Sequence, residues 1–329
     1  MIDEILKNQE RFFQGGALKD KEDPKDYNAE EILAGVDVPI PSFEEGYSAI
    51  KKHWPGMPSK NQRKTFSCVG QAWALYKQVL QAKDTGEKTE LSAFSIYNPI
   101  AIPGTGSFIR DGGLRTVDYG VNKEATLPSP GDEASMTRKF DFEPYKDEAN
   151  YFKNRIVAKI ETQDIDKIAR MIFLNDGVVS GFGNHAVYFS DYGIINGRKF
   201  IRSPNSYGDN AEIYWFDGKV QDPLFSIWTA IDVKNLVDAL PDNTLFSNLK
   251  YGDSGKQVEK LLQALANVGW RPAAKKGSPF LYDNDVAELV FNFQLANLPR
   301  NKWPFWWALF NRGKLVDFST REVINQLNK

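Results

Sequence analysis

The stretch at residues 61–80, NQRKTFSCVGQAWALYKQVL, contains the only cysteine of this 329-residue chain. After its polar first part, apolar residues recur three and four positions apart, which predicts an amphipathic helix that begins near Ser67, with Ser67 or Thr65 as its cap. Cys68 then lies in the first turn, where free backbone N–H groups and the positive end of the helix dipole stabilise an anion. The position favours a nucleophilic thiolate, and a buried structural cysteine is the alternative.

The overall composition excludes several classes of protein. With 41 basic and 43 acidic residues the net charge is −2, which is too balanced for the basic surface of a nucleic-acid-binding protein. No run of about 18 apolar residues predicts a membrane-spanning helix, and the charged first residues lack the apolar core of a secretory signal. A single cysteine and the lack of a secretory signal predict a chain that is made in a reducing cytoplasm. A protein that is released later and acts at the cell wall would have the same sequence features.

The character of the sequence changes near residue 156. Helical patterns dominate before it, as in SFIRDGGLRTVDYG at residues 107–120. Beyond it, short β-branched and aromatic runs such as IVAKIE, HAVYFSDYGI and FSIWTAI predict an antiparallel sheet, with one helix early in this half. A helical lobe followed by a strand-rich lobe indicates an α+β fold. We expect an N-terminal arm at residues 1–40, a main domain at 41–240 and a small all-α domain at 241–329.

Two histidines are available as the base that a thiolate needs. His53 lies in the charged sequence KKHWPG and is predicted to be a surface residue. His185 follows two glycines in GFGNHAVYFSDYG and enters a predicted strand, which would hold its imidazole in place. Asn205 lies 20 positions later (205 − 185), where its amide oxygen could accept a hydrogen bond from the second imidazole nitrogen and fix the ring. Together with Cys68, these residues favour a Cys–His–Asn site over three separate structural roles.

Four local patterns make about residues 40–235 resemble the papain-like family of cysteine peptidases. Gln62 precedes Cys68 by six positions (68 − 62), as the family's oxyanion-hole glutamine precedes its nucleophile. The cysteine opens a long helix rich in Ala and Trp. HAV, in GNHAVYFSDYGIINGRKFIRSPNSYG, continues through a Gly-bearing hairpin into NSYG, which parallels the family's histidine and its asparagine turn. LSAFSIYN followed by GSFIRDGGLRTVDYGVNKEATLP matches the segment after the nucleophile helix.

The resemblance implies a papain-like two-lobed fold, with a helical lobe and an antiparallel β-barrel-like lobe, and a thiol peptidase without a cofactor or metal. Cys68 would be the nucleophile and His185 the acid and base, with Asn205 orienting the imidazole. Gln62 and the backbone N–H of Cys68 would form the oxyanion hole. Tyr207 would shield the hydrogen bond between His185 and Asn205 from water. The implied partner is a polypeptide substrate.

The candidate substrate-binding residues are one tyrosine and four glycines. Besides Tyr207, four glycines could let a substrate backbone approach the cleft: Gly104, Gly106, Gly112 and Gly113. A role in loops and turns is the alternative for each glycine.

The chain departs from the family's pattern in several places. FSCV at residues 66–69 stands where Gly-Ser-Cys-Trp is usual, and Tyr207 stands where tryptophan is common. A single cysteine leaves no disulfide. The Cys68–His185 separation is 117 (185 − 68), below the ~130–150 of close papain relatives. These differences point to a trimmed, divergent branch of bacterial or phage origin.

Residues 249–329 resemble a peptidoglycan-binding module of three helices. LKYGDSGKQVEKLLQALANVGW fits that family's Gly-x-x-Gly-x-x-Val-x-x-Leu-Gln pattern, and FLYDNDVAELVFNFQLANL fits its second helix. Trp303, Trp306 and Trp307 could form a surface for sugar or a partner, and packing against a helix is the alternative. The implied partner is peptidoglycan or a cell-wall glycan; a helical module that binds no glycan is the other interpretation.

Three functions stay open on the sequence. The first is a cysteine peptidase that hydrolyses polypeptides, with the tail for targeting. The second is a cell-wall lysin that cleaves peptidoglycan peptides, and the third is a catalytically silent binding or structural protein. The arm at residues 1–40 is either structural or an inhibitory pro-segment, in which ILKNQERFF and the extended DVPIPSFEEG would lie over the cleft.

Overall fold

The structure, a computed structural model, describes residues 2–9, 15–33, 36, 38–208, 211–218 and 221–231, and isolated positions of the C-terminal part (249, 250, 261, 265, 290, 291, 294, 315 and 316). The chain divides into two compact units, Met1–Asp232 and Val233–Lys329. Within the described part, no helix is long and apolar enough to cross a membrane.

A long buried helix organises the first unit. The helices are α1 (Ile2–Gln9), α2 (Ala29–Ile32), α3 (Ala49–His53), α4 (Cys68–Thr85), α5 (Ala93–Tyr97), α6 (Ile109–Asp118), α7 (Glu133–Met136), α8 (Lys146–Tyr151) and α9 (Ile165–Asn175). Helix α4 begins at Cys68, is buried through Ala82, and ends at Thr85, after which Gly86 caps it with a left-handed φ of 74°. Ser67 occupies the predicted cap position, but its hydroxyl bonds to Thr65 and Gln71 and not to a first-turn N–H.

The strands follow mostly in the second half of this unit, as the sequence predicts. They are β1 (Ala17–Leu18), β2 (Tyr27–Asn28), β3 (Tyr47–Ser48), β4 (Ser107–Phe108), β5 (Ile156–Ile160), β6 (Val178–Phe182), β7 (His185–Phe189), β8 (Asp191–Ile195), β9 (Arg198–Pro204), β10 (Glu212–Phe216) and β11 (Phe225–Ile231). One sheet has the order β2-β5-β11-β6-β7, a second has the order β10-β9-β8-β3, and β1 pairs in parallel with β4. The two larger sheets are mostly antiparallel, so the architecture is α+β.

Helix α4 packs against α5, α6 and strand β7. Gly112 and Gly113 of α6 lie against the indole of Trp73, where a Cβ would come within 2.6 and 2.7 Å of ring atoms. The Trp73 indole N–H also donates to the carbonyl of Ile109 at 2.9 Å. The expectation that Gly112 and Gly113 line a substrate cleft is therefore corrected: they let two helices approach each other around a buried tryptophan.

The second unit is described at a few positions. Leu249–Lys250 (β12) pairs antiparallel with Leu315–Val316 (β13), and Leu261, Leu265 and Val290 are buried. The remaining residues of the predicted peptidoglycan-binding module, including the tryptophans at 303, 306 and 307, lie outside the described residues, as does the predicted linker at 238–248. The glycan-binding role of this unit stays a prediction.

His53 is half-buried in an ion-pair cluster, whereas the sequence predicted a surface residue. Its side chain is 12% exposed, and its Nε2 lies 2.8 Å from Asp176 Oδ1. The same carboxylate accepts a hydrogen bond from Tyr47 and pairs with the ammonium of Lys83. Burial alone would raise the pKa of Asp176, but His53, Lys83 and Tyr47 outweigh burial and hold that pKa below its ordinary value. The cluster thereby ties α3 and α4 to the residue that follows α9.

Replacing Asp176 by Asn tests this cluster. Asn tolerates the left-handed backbone of this position, where φ is 59°, but leaves His53 and Lys83 without their carboxylate. We expect the free energy of unfolding at pH 7 to fall by about 3 kcal/mol, as measured by urea denaturation. Because the folded-state pKa of Asp176 is lowered, this stabilisation is present above about pH 4 and is lost as the pH falls further.

The matched control is Glu143→Gln. Glu143 pairs with Lys146 at 3.1 Å, but the two side chains are 74% and 49% exposed. An exposed pair contributes little, so we expect a change within about 0.5 kcal/mol. Equal losses in the two variants would contradict the structural role given to Asp176.

Candidate active site

The Cys68 sulfur lies at the start of α4 and is fully buried. It accepts a hydrogen bond from the backbone N–H of Gly16 at 3.3 Å. Burial raises the pKa of the thiol to about 11, although the backbone N–H groups of Ala186, Gly16 and Val69 act in the opposite direction. The surroundings of the sulfur therefore provide donors for an anion while excluding water, and in this state the thiol keeps its proton.

His185 is the first residue of β7 and follows the turn that joins it to β6. Its ring Nε2 lies 2.7 Å from Asn205 Oδ1, an atom that can only accept, so Nε2 carries the proton of the neutral ring. Nδ1 is buried and has no hydrogen-bond partner among the described residues. Burial lowers the pKa of His185 to about 4, and the bond to Asn205 opposes this shift. The ring is thus a neutral base whose free lone pair is on Nδ1.

Strand β9 places the asparagine. Asn205 directly follows Pro204, the last residue of β9, and its backbone N–H donates to the Ala211 carbonyl at 2.7 Å. Its Oδ1 also accepts from the backbone N–H of Ser206 at 2.7 Å, which fixes the amide toward the imidazole. The ring of Tyr207 lies beside that of His185, with 5.4 Å between centroids. Tyr207 therefore covers one side of the imidazole.

Gln62 is held in place by the same loop. Its backbone N–H donates to the Ser206 carbonyl and its Oε1 accepts from the Ser206 hydroxyl, both at 2.7 Å. Its Nε2 donates to the Thr65 carbonyl at 3.0 Å and lies 3.4 Å from the Tyr207 hydroxyl. The bond from the Ser206 hydroxyl identifies the Gln62 atom that it contacts as the amide oxygen. The contact of Nε2 with the Tyr207 hydroxyl is longer, so it would break more easily in favour of another acceptor.

The site residues expected from the sequence do not all share one location. Cys68 meets the backbone N–H of Ala186, next to His185, and the side chains of His185, Asn205, Tyr207 and Gln62 form one connected group. Two of the four glycines have been placed in helix α6.

The other two glycines belong to the turn at residues 102–106. A Cβ at Gly104 would meet no atom within 4 Å, and its φ of 72° suits a turn, while its approach to a substrate stays a prediction. Gly106, by contrast, lies directly against Gly16 of the arm. Among the described residues, no cluster of His, Cys, Asp and Glu could hold a metal ion.

A segment of the N-terminal arm covers Cys68. Besides the bond from Gly16 to the sulfur, the Gly16 carbonyl accepts from the N–H of Ser107 at 2.8 Å, and the N–H of Ala17 donates to the Asn184 carbonyl at 3.0 Å. β1 thereby pairs in parallel with β4 over the first residue of α4. The glycine pair Gly15–Gly16 was not singled out from the sequence, although two glycines before an alanine in a charged arm are a recognisable signal for a close backbone approach.

The two segments that the sequence analysis expected over the cleft are described only in part. Helix α1 packs against β10, and the residues after Gln9 in ILKNQERFF are outside the described set, so the expectation for this segment stays a prediction. In DVPIPSFEEG, the Pro41 carbonyl accepts from the Tyr192 hydroxyl at 2.9 Å, and the Phe43 ring packs on the Tyr192 ring. This extended segment therefore packs on β8, and the arm residue that bonds to the Cys68 sulfur is Gly16.

The arm is anchored on both sides of the glycine pair. Before the pair, the Gln9 amide donates to the Tyr214 carbonyl and accepts from the Tyr214 N–H, both at 3.0 Å. After the pair, the Asp20 carboxylate accepts from the Trp228 indole at 2.7 Å and from the backbone N–H of Arg110 at 3.1 Å. Burial raises the pKa of Asp20 despite these bonds.

Arg110 extends the second anchor. Its guanidinium bonds to Asp23 at 2.9 Å and to Asp26 at 2.6 Å. Besides the bond to the Cys68 sulfur, the arm is therefore held by contacts that are spread along its length and involve neither Cys68 nor His185.

Comparison with known proteins finds no matching family model and no matching curated protein. Among solved structures, the chain is similar to xylellain, a cysteine protease from Xylella fastidiosa, with a TM-score of 0.52 and 19% identity over 66% of this chain and 95% of that one. It is similar to digestive procathepsin L2 from the larval midgut of Tenebrio molitor, with a TM-score of 0.52 and 15% identity over 68% and 79%. For procathepsin B S9 from Trypanosoma congolense the TM-score is 0.50 with 15% identity over 67% and 87%. The chain therefore has the papain-like α+β fold.

Proposed function

We propose that the chain is a cysteine peptidase that hydrolyses peptide bonds through Cys68, His185 and Asn205. The observation that carries the proposal is the arrangement of the imidazole. Asn205 Oδ1 lies 2.7 Å from Nε2, which leaves the buried Nδ1 as the nitrogen with the lone pair, and the backbone N–H of the next residue, Ala186, bonds to the Cys68 sulfur. A structural cysteine would not require an oriented, buried base next to one of its hydrogen-bond donors.

The chemistry follows from these positions. Cys68 gives its proton to His185 Nδ1, and the thiolate attacks the carbonyl carbon of the scissile peptide bond. Collapse of the tetrahedral intermediate breaks the C–N bond, and the leaving amine takes the proton from His185. Water, deprotonated by the same imidazole, then hydrolyses the thioester and restores the thiol. Asn205 keeps the ring in the required tautomer throughout.

The oxyanion of each intermediate needs donors near the sulfur. The backbone N–H of Cys68 is one, since it lies in the first turn of α4 and has no partner within the helix. The Gln62 amide is the other; the hydrogen that now faces the Tyr207 hydroxyl at 3.4 Å would turn to the oxyanion. Such a donor typically contributes about 10²–10³ to the rate.

The arm would hold this enzyme inactive. With a thiol pKa of about 11, the thiolate fraction at pH 7 is on the order of 10⁻⁴, whereas a free cysteine has about 3%. An imidazole with a pKa of about 4 likewise stays neutral. When the arm leaves and water enters, the desolvation that causes both shifts decreases, so the thiol pKa falls, the imidazole pKa rises and the ion pair becomes accessible. Residues 1–40 would then act as an inhibitory segment.

The substrate is a polypeptide, and the tail would direct the enzyme to a partner. Nothing among the described residues favours peptidoglycan peptides over other peptides. Recruitment to a cell-wall glycan and action at the wall after release from a cytoplasm stay predictions from the sequence.

The Gly16→Ala variant tests the inhibitory arm. A methyl here would be 2.6 Å from Gly106 Cα and Phe66 Cβ, so we expect the segment to leave the sulfur. The alkylation rate of Cys68 by iodoacetamide at pH 7 should rise on the order of 100-fold, in line with the gain in thiolate. The control Gly197→Ala adds a methyl in the β8–β9 turn, where no atom lies within 4 Å but the φ of 75° strains any side chain. It therefore controls for a general loss of stability away from the arm, and its Cys68 should react like that of the wild type. Equal rates in all three proteins would sink the inhibitory role.

Loss of the thiol tests the peptidase itself. In the arm-displaced Gly16→Ala chain we expect hydrolysis of casein and of fluorogenic dipeptides, and the additional change Cys68→Ala should abolish it, because no other described group can form the thioester. A parallel assay on purified cell walls separates a lysin from a general peptidase. Hydrolysis that survives Cys68→Ala would refute the mechanism, and an inert chain whose Cys68 is readily alkylated would indicate the silent protein.

A further inference from the structure

The groove beside the nucleophile holds the arm through its backbone alone. The Ser107 N–H, the Asn184 carbonyl and the Cys68 sulfur bond to peptide groups of Gly16 and Ala17, at 2.8, 3.0 and 3.3 Å. None of the three contacts involves a side chain of the arm. A peptide substrate can use the same groups, because every residue has a backbone N–H and carbonyl except for the missing N–H of proline.

The first of two constrictions surrounds Gly15. A Cβ on this residue would be 2.6 Å from His185 Nδ1, 2.8 Å from the Asn184 carbonyl oxygen and 2.9 Å from His185 Cα. Real Cβ atoms do not approach other heavy atoms this closely. The catalytic imidazole and the backbone just before it thus form a wall against any side chain at this position.

The second constriction surrounds Gly16. A Cβ here would be 2.6 Å from Gly106 Cα, 2.6 Å from Phe66 Cβ and 2.7 Å from the Phe66 carbonyl oxygen. Gly106 is itself required, since its φ is 125° and a Cβ on it would overlap the Gly16 carbonyl. Most atoms of both constrictions belong to the backbone, which cannot be moved aside by a change of rotamer.

The arm carries side chains again directly after these two residues. Ala17 places its methyl in the core cluster with Cys68 and Ala186, and the larger side chain of Leu18 is half-buried. The positions at which a Cβ would collide are therefore the two consecutive residues Gly15 and Gly16.

We propose that this enzyme selects peptide segments with two consecutive glycines, which occupy the constrictions formed by His185, Asn184, Phe66 and Gly106. The proposal rests on the peptidase function and adds its substrate class. It applies to a substrate that runs in the same direction as the arm, because the Ser107 N–H and the Asn184 carbonyl then meet the same peptide groups. The glycine pair of the arm then occupies the groove as a substrate would.

A set of internally quenched peptides tests the selectivity on the full-length Gly16→Ala chain. The peptides share their flanking residues and carry Gly-Gly, Ala-Gly, Gly-Ala or Ala-Ala at the centre. One extra methyl in a rigid, filled site weakens binding of the transition state. We therefore expect each alanine to reduce kcat/KM by about 10- to 100-fold. A fifth peptide with Gly-Gly and one altered flanking residue should change kcat/KM by less than about threefold. Gly15→Ala provides a second arm-displaced chain if the first does not fold.

The possible outcomes separate this proposal from the one on which it rests. Cleavage of Ala-Ala within about threefold of Gly-Gly would overturn the selectivity and leave the peptidase function intact. Absence of cleavage of all five peptides and of casein, in chains whose Cys68 is readily alkylated, would overturn the peptidase function and the selectivity with it. Protection of Cys68 from iodoacetamide by unlabelled Gly-Gly peptide, but not by Ala-Ala peptide, would support the selectivity without turnover.

Discussion

The hydrogen bond from the backbone N–H of Gly16 to the sulfur of Cys68 defines the covered state of the candidate site. Because the arm excludes water, a thiol and an imidazole that could form an ion pair stay neutral, with pKa values of about 11 and about 4. The hydrogen bond from His185 to Asn205 survives this burial and keeps the ring oriented. In the proposed enzyme the imidazole is thus already oriented, and charge separation between Cys68 and His185 is suppressed by desolvation.

In the proposed inhibited state, the arm can approach the sulfur closely because its covering residues, Gly15 and Gly16, have no side chains. Its binding strength comes from elsewhere, from the Gln9 amide on the edge of β10 and from Asp20 between α6 and Trp228. The anchor at Asp20 makes the docking of the arm depend on pH. The raised pKa of Asp20 means that the docked arm binds a proton more readily than the free arm, so acidification acts through Asp20 to retain the arm and not to release it.

Features encoded by local periodicity could be predicted from the sequence. The helix that begins at Cys68 and the strand-rich second half follow from spacing and composition, and the α+β fold is confirmed. Contacts between distant residues could not be predicted. His53 looked solvated within KKHWPG because nothing local indicates a carboxylate at Asp176, and Gly112 looked like a cleft residue because its partner Trp73 lies on another helix. Gly15 and Gly16 act through what they lack, and glycine is equally typical of an ordinary loop.

The most direct test of the covered nucleophile is the pH profile of Cys68 alkylation in the intact wild-type chain. If the arm holds the thiol at a pKa of about 11, the rate constant should rise about tenfold per pH unit from pH 6 to pH 10 without a plateau, since the covered thiol must lose its proton before it reacts. The Gly16→Ala chain should reach its plateau at a lower pH. A wild-type plateau at or below about pH 8.5, the value of a free cysteine, would contradict the account.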